Sequence, residues 1–244
     1  MLGLIGKKLG HTRVYDAHGV ITPVTVVLAG PNRVLQVKTT ETDGYSAVQL
    51  GFGSQKPQRI PKGKLGHLAK FGALSADNAK KSREKGDHSV VSGAQKIREF
   101  RDFSREVKTG DLLGPALFQV GDFVDVIGVT KGRGFEGVVG RHAFRGGDAT
   151  HGAKGWHRRS GAIGQRLFPG TVMRGMRMPG HMGQVRRTAQ NLQVVQVREG
   201  DNLLLIKGSC PGAEGDYVII RQAKKRKAAP AKPAEPATKS KAKK

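Results

Sequence analysis

Cysteine is almost absent from this chain, which has one, Cys210, among its 244 residues. A single cysteine excludes an internal disulfide framework and a cysteine-rich zinc module. We expect Cys210 to pack as a small apolar side chain, because none of its neighbours in sequence would stabilise a thiolate.

Long apolar runs are also missing. The apolar stretches are short, such as the four residues 203–206, and a membrane-spanning helix needs roughly 20. The first ten residues, MLGLIGKKLG, carry lysines after a brief apolar patch and are followed by no small-residue cleavage site. We therefore expect no membrane association and no export.

Acidic residues are few beside basic ones. The chain has 19 Asp and Glu against 43 Lys and Arg, which leaves a formal net charge of +24. A surface this basic repels itself in the compact state, and its commonest physical role is to meet a polyanion. The 35 glycines, with aromatic residues at only 5%, indicate much backbone in tight turns or in close approach to a partner.

The excess charge is concentrated in two stretches. Segment 131–187 has twelve Lys or Arg against two acids, a net charge of +10, and the tail 223–244 has nine against one, a net charge of +8. The other 165 residues carry only +6, so they can form an ordinary globular body. A surface made basic only for solubility would not need this segregation.

Segment 131–187 is irregular but chemically rich. It holds fourteen glycines, four histidines and scattered aromatic side chains, with neither a helical nor a strand period. Because a structureless run this long does not belong inside a compact domain, we predict an extension that leaves the body, is disordered when free and folds on its partner. The Lys/Ala/Pro-rich tail is also expected to be disordered.

The remainder of the chain is predicted to be mainly β. Apolar and β-branched runs occur at 24–28, 34–37, 48–52, 123–129, 192–197, 203–206 and 217–220, separated by turn residues. Short strands with few helices favour a closed or half-closed barrel, built from 1–60, 105–130 and 188–222. Residues 61–104 are predicted to be an inserted subdomain with one or two helices, near 75–78 and where Ile97 and Phe100 have helical spacing.

A GxGxxG pattern formed by Gly132, Gly134 and Gly137 directly follows the predicted strand 123–129. A dinucleotide site would need a helix opening at the third glycine and an acid about twenty residues later. We expect no helix in the following VVGRHAFRGGDATHG, and 153–158 contain no acid. A backbone turn with basic flanks is favoured, and the alternative is a nucleotide-dependent or RNA-modifying enzyme that uses this turn.

Other catalytic and metal patterns are weak. His142, His151 and His157 with Asp148 match no standard ligand spacing. Ser160 lacks a G-x-S-x-G elbow, and paired carboxylates are missing from the basic segment. We therefore predict no catalytic residues, no metal site and no cofactor, and the protein is expected not to be an enzyme.

Several motifs together carry a family resemblance. They are KGRGF at 131–135, FR at 144–145, DATHG at 148–152, GAIGQ at 161–165, MPGHMG at 178–183 and NLLLIKG at 202–208, preceded by GLIGKKLG at 3–10. In this order and spacing they closely resemble the bacterial large-subunit ribosomal protein L-three family, over most of residues 1–222. Six ordered motifs are far more specific than any one of them.

The resemblance implies a structural protein of the large ribosomal subunit, with a translation-protein-type β-barrel and an extension that enters the rRNA towards the peptidyl transferase centre. It implies direct binding to 23S-type rRNA, a role in nucleating subunit assembly, neighbouring large-subunit ribosomal proteins as partners, a cytoplasmic location in the ribosome and no homo-oligomer. Gln165 occupies a position that is methylated in some members. The expected rRNA-binding residues are Lys131, Arg133, Arg141, Arg145, His151, Lys154, Trp156, His157, Arg158, Arg159, Arg166, Arg174, Arg177, Arg186 and Arg187.

Overall fold

The computed structural model describes residues 1–15, 19–55, 59–70 and 93–226, and strands dominate these ranges. The strands are β1 (Gly3–Tyr15), β2 (Ile21–Leu28), β3 (Asn32–Lys38), β4 (Ala47–Gln55), β5 (Gly93–Arg101), β6 (Leu112–Leu113), β7 (Phe123–Val129), β8 (Gly134–Glu136), β9 (Gly180–Met182), β10 (Arg186–Arg198), β11 (Leu203–Lys207) and β12 (Tyr217–Gln222). The helices are α1 (Thr40–Asp43), α2 (Lys62–Lys70) and α3 (Val138–His142), with a 3-10 turn at Pro115–Leu117. The prediction of a mainly β fold with few helices is confirmed.

Six strands pair antiparallel in the order β1-β12-β7-β10-β11-β2, and β2 pairs back onto β1 to close the barrel. Alternating residues on these strands point inward, as the two-residue period of a strand requires. Val124 and Val126 of β7, Leu204 and Ile206 of β11, and Ile220 of β12 are fully buried and belong to one core cluster. The barrel core is therefore made mainly of aliphatic side chains from strands that lie far apart in the sequence.

A second sheet, in the order β5-β4-β3-β6, packs beside the barrel. Val48, Leu50 and Phe52 of β4 alternate into the shared core. Phe100 of β5 lies against β1 at Gly3, where an added Cβ would come within 2.2 Å of the ring. Glycine at position 3 is thus what lets the ring of Phe100 join the two sheets.

All seven predicted β runs lie within strands. Strand β1 was missed, because its lysines and glycines interrupt the apolar pattern. The predicted helix at Ile97 and Phe100 is wrong: both lie in β5, which pairs with β4 along its whole length, and strand pairing outweighs a spacing of three residues. The helix predicted near 75–78 and the tail from residue 227 lie outside the described residues.

Two buried polar side chains connect the ends of the barrel strands. Asn32 donates to the carbonyls of Ile5 and Ala29 and accepts from the Ile5 amide. Lys8 is 3% exposed and donates to the carbonyls of Cys210 and Gly212, both at 2.9 Å. Because the polar atoms of Asn32 and Lys8 are hydrogen-bonded, both side chains can be buried without leaving an unpaired polar group.

Cys210 packs in the barrel core, as expected from its sequence context. Its burial raises the pKa of the thiol, so the thiolate is disfavoured.

None of the helices in the described ranges is long and apolar enough to cross a membrane.

Candidate nucleic-acid interface

The basic segment 131–187 leaves and re-enters the barrel through two adjacent strands. Val129 at the end of β7 lies opposite Arg186 at the start of β10. Beyond them, Thr130 exchanges backbone hydrogen bonds with Val185 and Gln184, and β8 pairs antiparallel with β9. Residues 129–136 and 180–186 therefore form a two-stranded stalk that carries the rest of the segment away from the body.

One glycine fixes the close approach of the two stalk strands. Gly183 has a φ of +82°, and an added Cβ would lie 2.1 Å from the carbonyl oxygen of Lys131. A side chain is excluded both by the left-handed backbone and by the opposite strand. This close approach explains why glycine occupies the last position of the MPGHMG motif.

The GxGxxG pattern does not form a dinucleotide loop, although one expectation about it is wrong. A helix, α3, does follow Gly137, contrary to the prediction that none would form. Helix α3 has only five residues. Gly134 lies in strand β8, so the three glycines do not form one continuous loop before the helix. The first residue of α3, Val138, is buried, and the chain leaves the helix through Ala143 in the left-handed conformation.

The short helix is tied to the returning arm. The guanidinium of Arg141 donates to the carbonyl oxygen of Met178 at 2.7 Å, and His142 Nε2 lies 3.0 Å from the same oxygen. Arg141 is half-buried as a result. It therefore helps to hold the two arms of the extension together.

Further out, two chain segments are pressed together by their backbones. At Gly147 an added Cβ would lie 2.9 Å from the carbonyl oxygen of Trp156, and at Gly146 it would lie even closer to that of His157. The guanidinium of Arg159 stacks 5.2 Å from the centre of the Trp156 ring. This brings an aromatic face and a cation onto one exposed surface, the combination that stacks on nucleobases.

The charges of the extension are presented to solvent. Of the fifteen residues predicted to bind rRNA, Arg141 is half-buried and the other fourteen are exposed. Within the described residues, the basic side chains of 131–187 make one ion pair, between Arg145 and Asp148 at 3.1 Å. From residue 149 to residue 198 the chain has no Asp or Glu, so the distal part of the extension has no internal counter-charge.

The predicted set of rRNA-binding residues does not include the exposed apolar side chains of the extension. Phe135, Leu167 and Phe168 are 80%, 87% and 88% exposed. The available signal was the placement of bulky apolar residues next to Gly and Arg in a segment with no core of its own. Such side chains fit unstacked bases or the face of a partner.

The histidine cluster considered in the sequence, His142, His151 and His157 with Asp148, does not form a metal centre. In the part of the chain that the structure describes, no group of three or more His, Cys, Asp or Glu side chains could hold an ion. His142 instead faces a carbonyl oxygen and packs beside Phe144.

The structure has a small β body and a long, glycine-rich extension that is almost free of acids. This arrangement is typical of proteins that bind nucleic acid. Residues 80–203 match the family model described as ribosomal protein L3. The chain is 47% identical to large ribosomal subunit protein uL3 of Nitrosococcus oceani over 92% of this chain and 97% of that protein. It is 44% identical to the uL3 of Deinococcus radiodurans over 94% and 98%. The chain belongs to the ribosomal protein L3 family.

Proposed function

We propose that this protein is a structural constituent of the large ribosomal subunit that binds large-subunit rRNA directly through residues 131–187. The observation that carries the proposal is the extension itself, whose cations are exposed and nearly all without a carboxylate partner among the described residues. Holding like charges together costs free energy in the isolated protein, and a polyanion removes that cost. Its L3 relatives are named as proteins of the same subunit.

The finer organisation belongs to the same proposal. Residues 1–60, 105–130 and 188–222 form a translation-protein-type body, 61–104 an inserted subdomain, 131–187 the extension and 223–244 a basic tail. The extension folds on rRNA and reaches towards the peptidyl transferase centre. The protein helps to nucleate subunit assembly, contacts neighbouring ribosomal proteins in cytoplasmic ribosomes, acts as a single copy and is not an enzyme.

The binding mechanism follows from the exposed groups. Lys and Arg side chains neutralise phosphates and release condensed counterions, which makes affinity fall as salt rises. These contacts position the protein, while shape, 2′-hydroxyl groups and exposed bases provide selectivity. Trp156 with Arg159 above it is the stacking surface best suited to an unpaired base, because both side chains are exposed and adjacent.

Gln165 is proposed as a methylation site. Its side chain is exposed in the extension, so a modifying enzyme can reach the amide before the protein is buried in RNA. A peptide mass spectrum of the ribosome-derived protein that lacks the increment of one methylene group at Gln165 would reject this assignment.

The main test measures rRNA binding as a function of salt. The variant carries Arg158→Gln, Arg159→Gln and Arg166→Gln, and its control carries the same charge change on exposed body residues, Arg13→Gln, Arg105→Gln and Lys108→Gln. Binding to transcribed large-subunit rRNA is followed by the fluorescence of Trp156, the sole tryptophan. We expect the slope of log affinity against log salt to become shallower by about 2–3 for the extension variant.

The outcome that contradicts the proposal is equally concrete. If the extension variant keeps the wild-type slope and affinity, the extension is not the rRNA-binding surface. Absence of the tagged wild-type protein from large ribosomal particles on a sucrose gradient would reject the ribosomal role altogether.

A further inference from the structure

A groove between the barrel and the second sheet, away from the distal extension, gathers two basic side chains without an assigned role, Lys96 and Arg98, beside Arg186 of the extension root. We name it the Tyr217 groove; it lies between β5 and the outer surface of the barrel strands β7 and β12. Lys96 and Arg98 line it from β5, Arg186 from the start of β10, Tyr217 from the start of β12 and Asp216 from the position just before that strand. It thus lies at the junction of the barrel and the second sheet.

The strand period explains why two cations point into the groove. Lys96, Arg98 and Phe100 are alternate residues of β5 and share one face of the strand. Phe100 is buried against Gly3 of the barrel, so the other two are directed to the same side, where the barrel surface recedes. Both remain exposed.

Tyr217 organises the floor of the groove. The ammonium group of Lys96 lies 5.3 Å from the centre of the Tyr217 ring, and the Tyr217 hydroxyl donates to Gln95 Oε1. The ring also meets Phe52 edge-on at 6.1 Å. Lys96 is therefore placed by an aromatic contact rather than by a carboxylate.

A further lysine adds to the local positive charge. Lys64 of α2 donates to the carbonyl oxygen of Gln95 at 3.2 Å. The pKa of Lys64 is lowered by its partial burial and then by the charge of Lys96. Like charges this close favour a bound anion, because an anion stabilises both ammonium groups.

One acid, Asp216, lines the groove beside three cations, so the lining keeps a net positive charge. Asp216 uses Oδ2 to accept from the Ala213 amide at 2.6 Å, and Glu99 is engaged by Lys38, Tyr45 and Gln49 on the other face of β5. Among the described residues, no carboxylate lies within ion-pair distance of Lys96, Arg98 or Arg186.

We infer that the Tyr217 groove is a second RNA-binding site, which takes the sugar-phosphate backbone of the same rRNA that binds the extension. The inference rests on the proposed function and adds a contact surface to it. Arg186 belongs both to the groove and to the root of the stalk, so the two positive surfaces are continuous. An RNA strand bound along the stalk can therefore continue into the groove while it remains in contact with basic side chains.

The phosphate backbone is the ligand that the groove chemistry favours. Lys and Arg at the rim suit a chain of phosphates spaced along a strand. The one aromatic ring, Tyr217, is half-buried and packs against Phe52, so it is less accessible to a base than exposed Trp156. The site should therefore contribute affinity and orientation without reading sequence.

The test is a charge-neutralising double variant, Lys96→Gln with Arg98→Gln, in the full chain. Its matched control is Arg105→Gln with Lys108→Gln, which removes the same charge from exposed positions outside the groove. With transcribed large-subunit rRNA we expect the salt slope to become shallower by about 1.5–2 and affinity at moderate salt to fall several-fold. The charge-retaining pair Lys96→Arg with Arg98→Lys should keep the wild-type slope.

Three results overturn the inference without touching the proposed function. The first is a groove variant whose slope equals that of the control while the extension variant still weakens binding. The second is unchanged rRNA binding with reduced entry into ribosomal particles, which would assign the groove to an acidic protein partner. The third is a lowered melting temperature that accounts for the loss. By contrast, wild-type protein that fails to bind rRNA in a salt-dependent manner would reject the proposed function itself.

Discussion

The body and the extension each contain an arginine–aspartate ion pair, and the two pairs are nearly equal in length. In the barrel, Arg221 lies 3.3 Å from Asp125, and these side chains are 23% and 2% exposed. In the extension, Arg145 lies 3.1 Å from Asp148, and these side chains are 88% and 71% exposed. Distance alone does not distinguish them, whereas desolvation does: breaking a buried pair leaves an uncompensated charge, and an exposed pair exchanges its partner for water.

The same contrast extends to apolar residues. Leu204 in β11 is fully buried in the barrel core, whereas Leu167 in the extension is 87% exposed. In the body, buried side chains such as Leu204 and Asp125 therefore specify the fold. The extension keeps equivalent side chains in solvent, where they are available to a partner.

The largest difference should come from truncating those two leucines. Leu204→Ala removes buried methyl groups and leaves a cavity, so we expect the free energy of unfolding to fall by about 2–5 kcal/mol. Leu167→Ala should change it by less than about 0.5 kcal/mol. Urea denaturation of the free protein measures both, and equal losses would mean that the extension is part of the folded core.

How much of this contrast can be predicted from sequence depends on which interaction is responsible. The seven β runs were predictable because alternating apolar residues such as Val48, Leu50 and Phe52 reflect burial directly. Charge and glycine content change abruptly at 131 and 187, and the proposed extension is defined by that change.

The features that could not be predicted depend on contacts between distant residues. Phe100 pairs with Val48 in a strand, and its spacing from Ile97 does not reveal that. Helix α3 depends on the burial of Val138 and on the contact of Arg141 with Met178. The Tyr217 groove joins residues 96–98, 186 and 217, and nothing in their local sequence places them together.

A second prediction compares the two aspartates. Asp125 accepts from the Asn191 amide as well as pairing with Arg221, whose Nε is buried without a hydrogen-bond partner in the structure. Asp125→Ala should therefore lower the free energy of unfolding by about 1–3 kcal/mol. Asp148→Ala serves as the control and should lie within about 0.5 kcal/mol of wild type. A result in which the two variants lose equal stability contradicts the role given to burial.

The smallest expected effect concerns pH and a carboxylate of the second sheet. Glu99 accepts from Lys38 at 2.9 Å, from the Tyr45 hydroxyl at 3.0 Å and from Gln49 at 3.3 Å. The hydrogen bond from Lys38, followed by that from Tyr45, lowers the pKa of Glu99 below its ordinary value of 4.5. A carboxylate with a depressed pKa in the folded state binds protons more readily when unfolded, so it stabilises the fold above that ordinary value.

This stabilisation should be lost as the pH falls below about 4.5 and passes through the folded pKa of Glu99. Glu99→Gln removes the titrating group, so its melting temperature should lie no more than about 3 °C below wild type at neutral pH, and the gap should narrow in acid. Glu106→Gln, an exposed site in the loop after β5, is the control. If the difference in melting temperature between Glu99→Gln and wild type stays constant from neutral to acid pH, ionisation of Glu99 does not contribute to the stability of the body. The body and the acid-free distal extension would then not differ in the pH dependence of their stability.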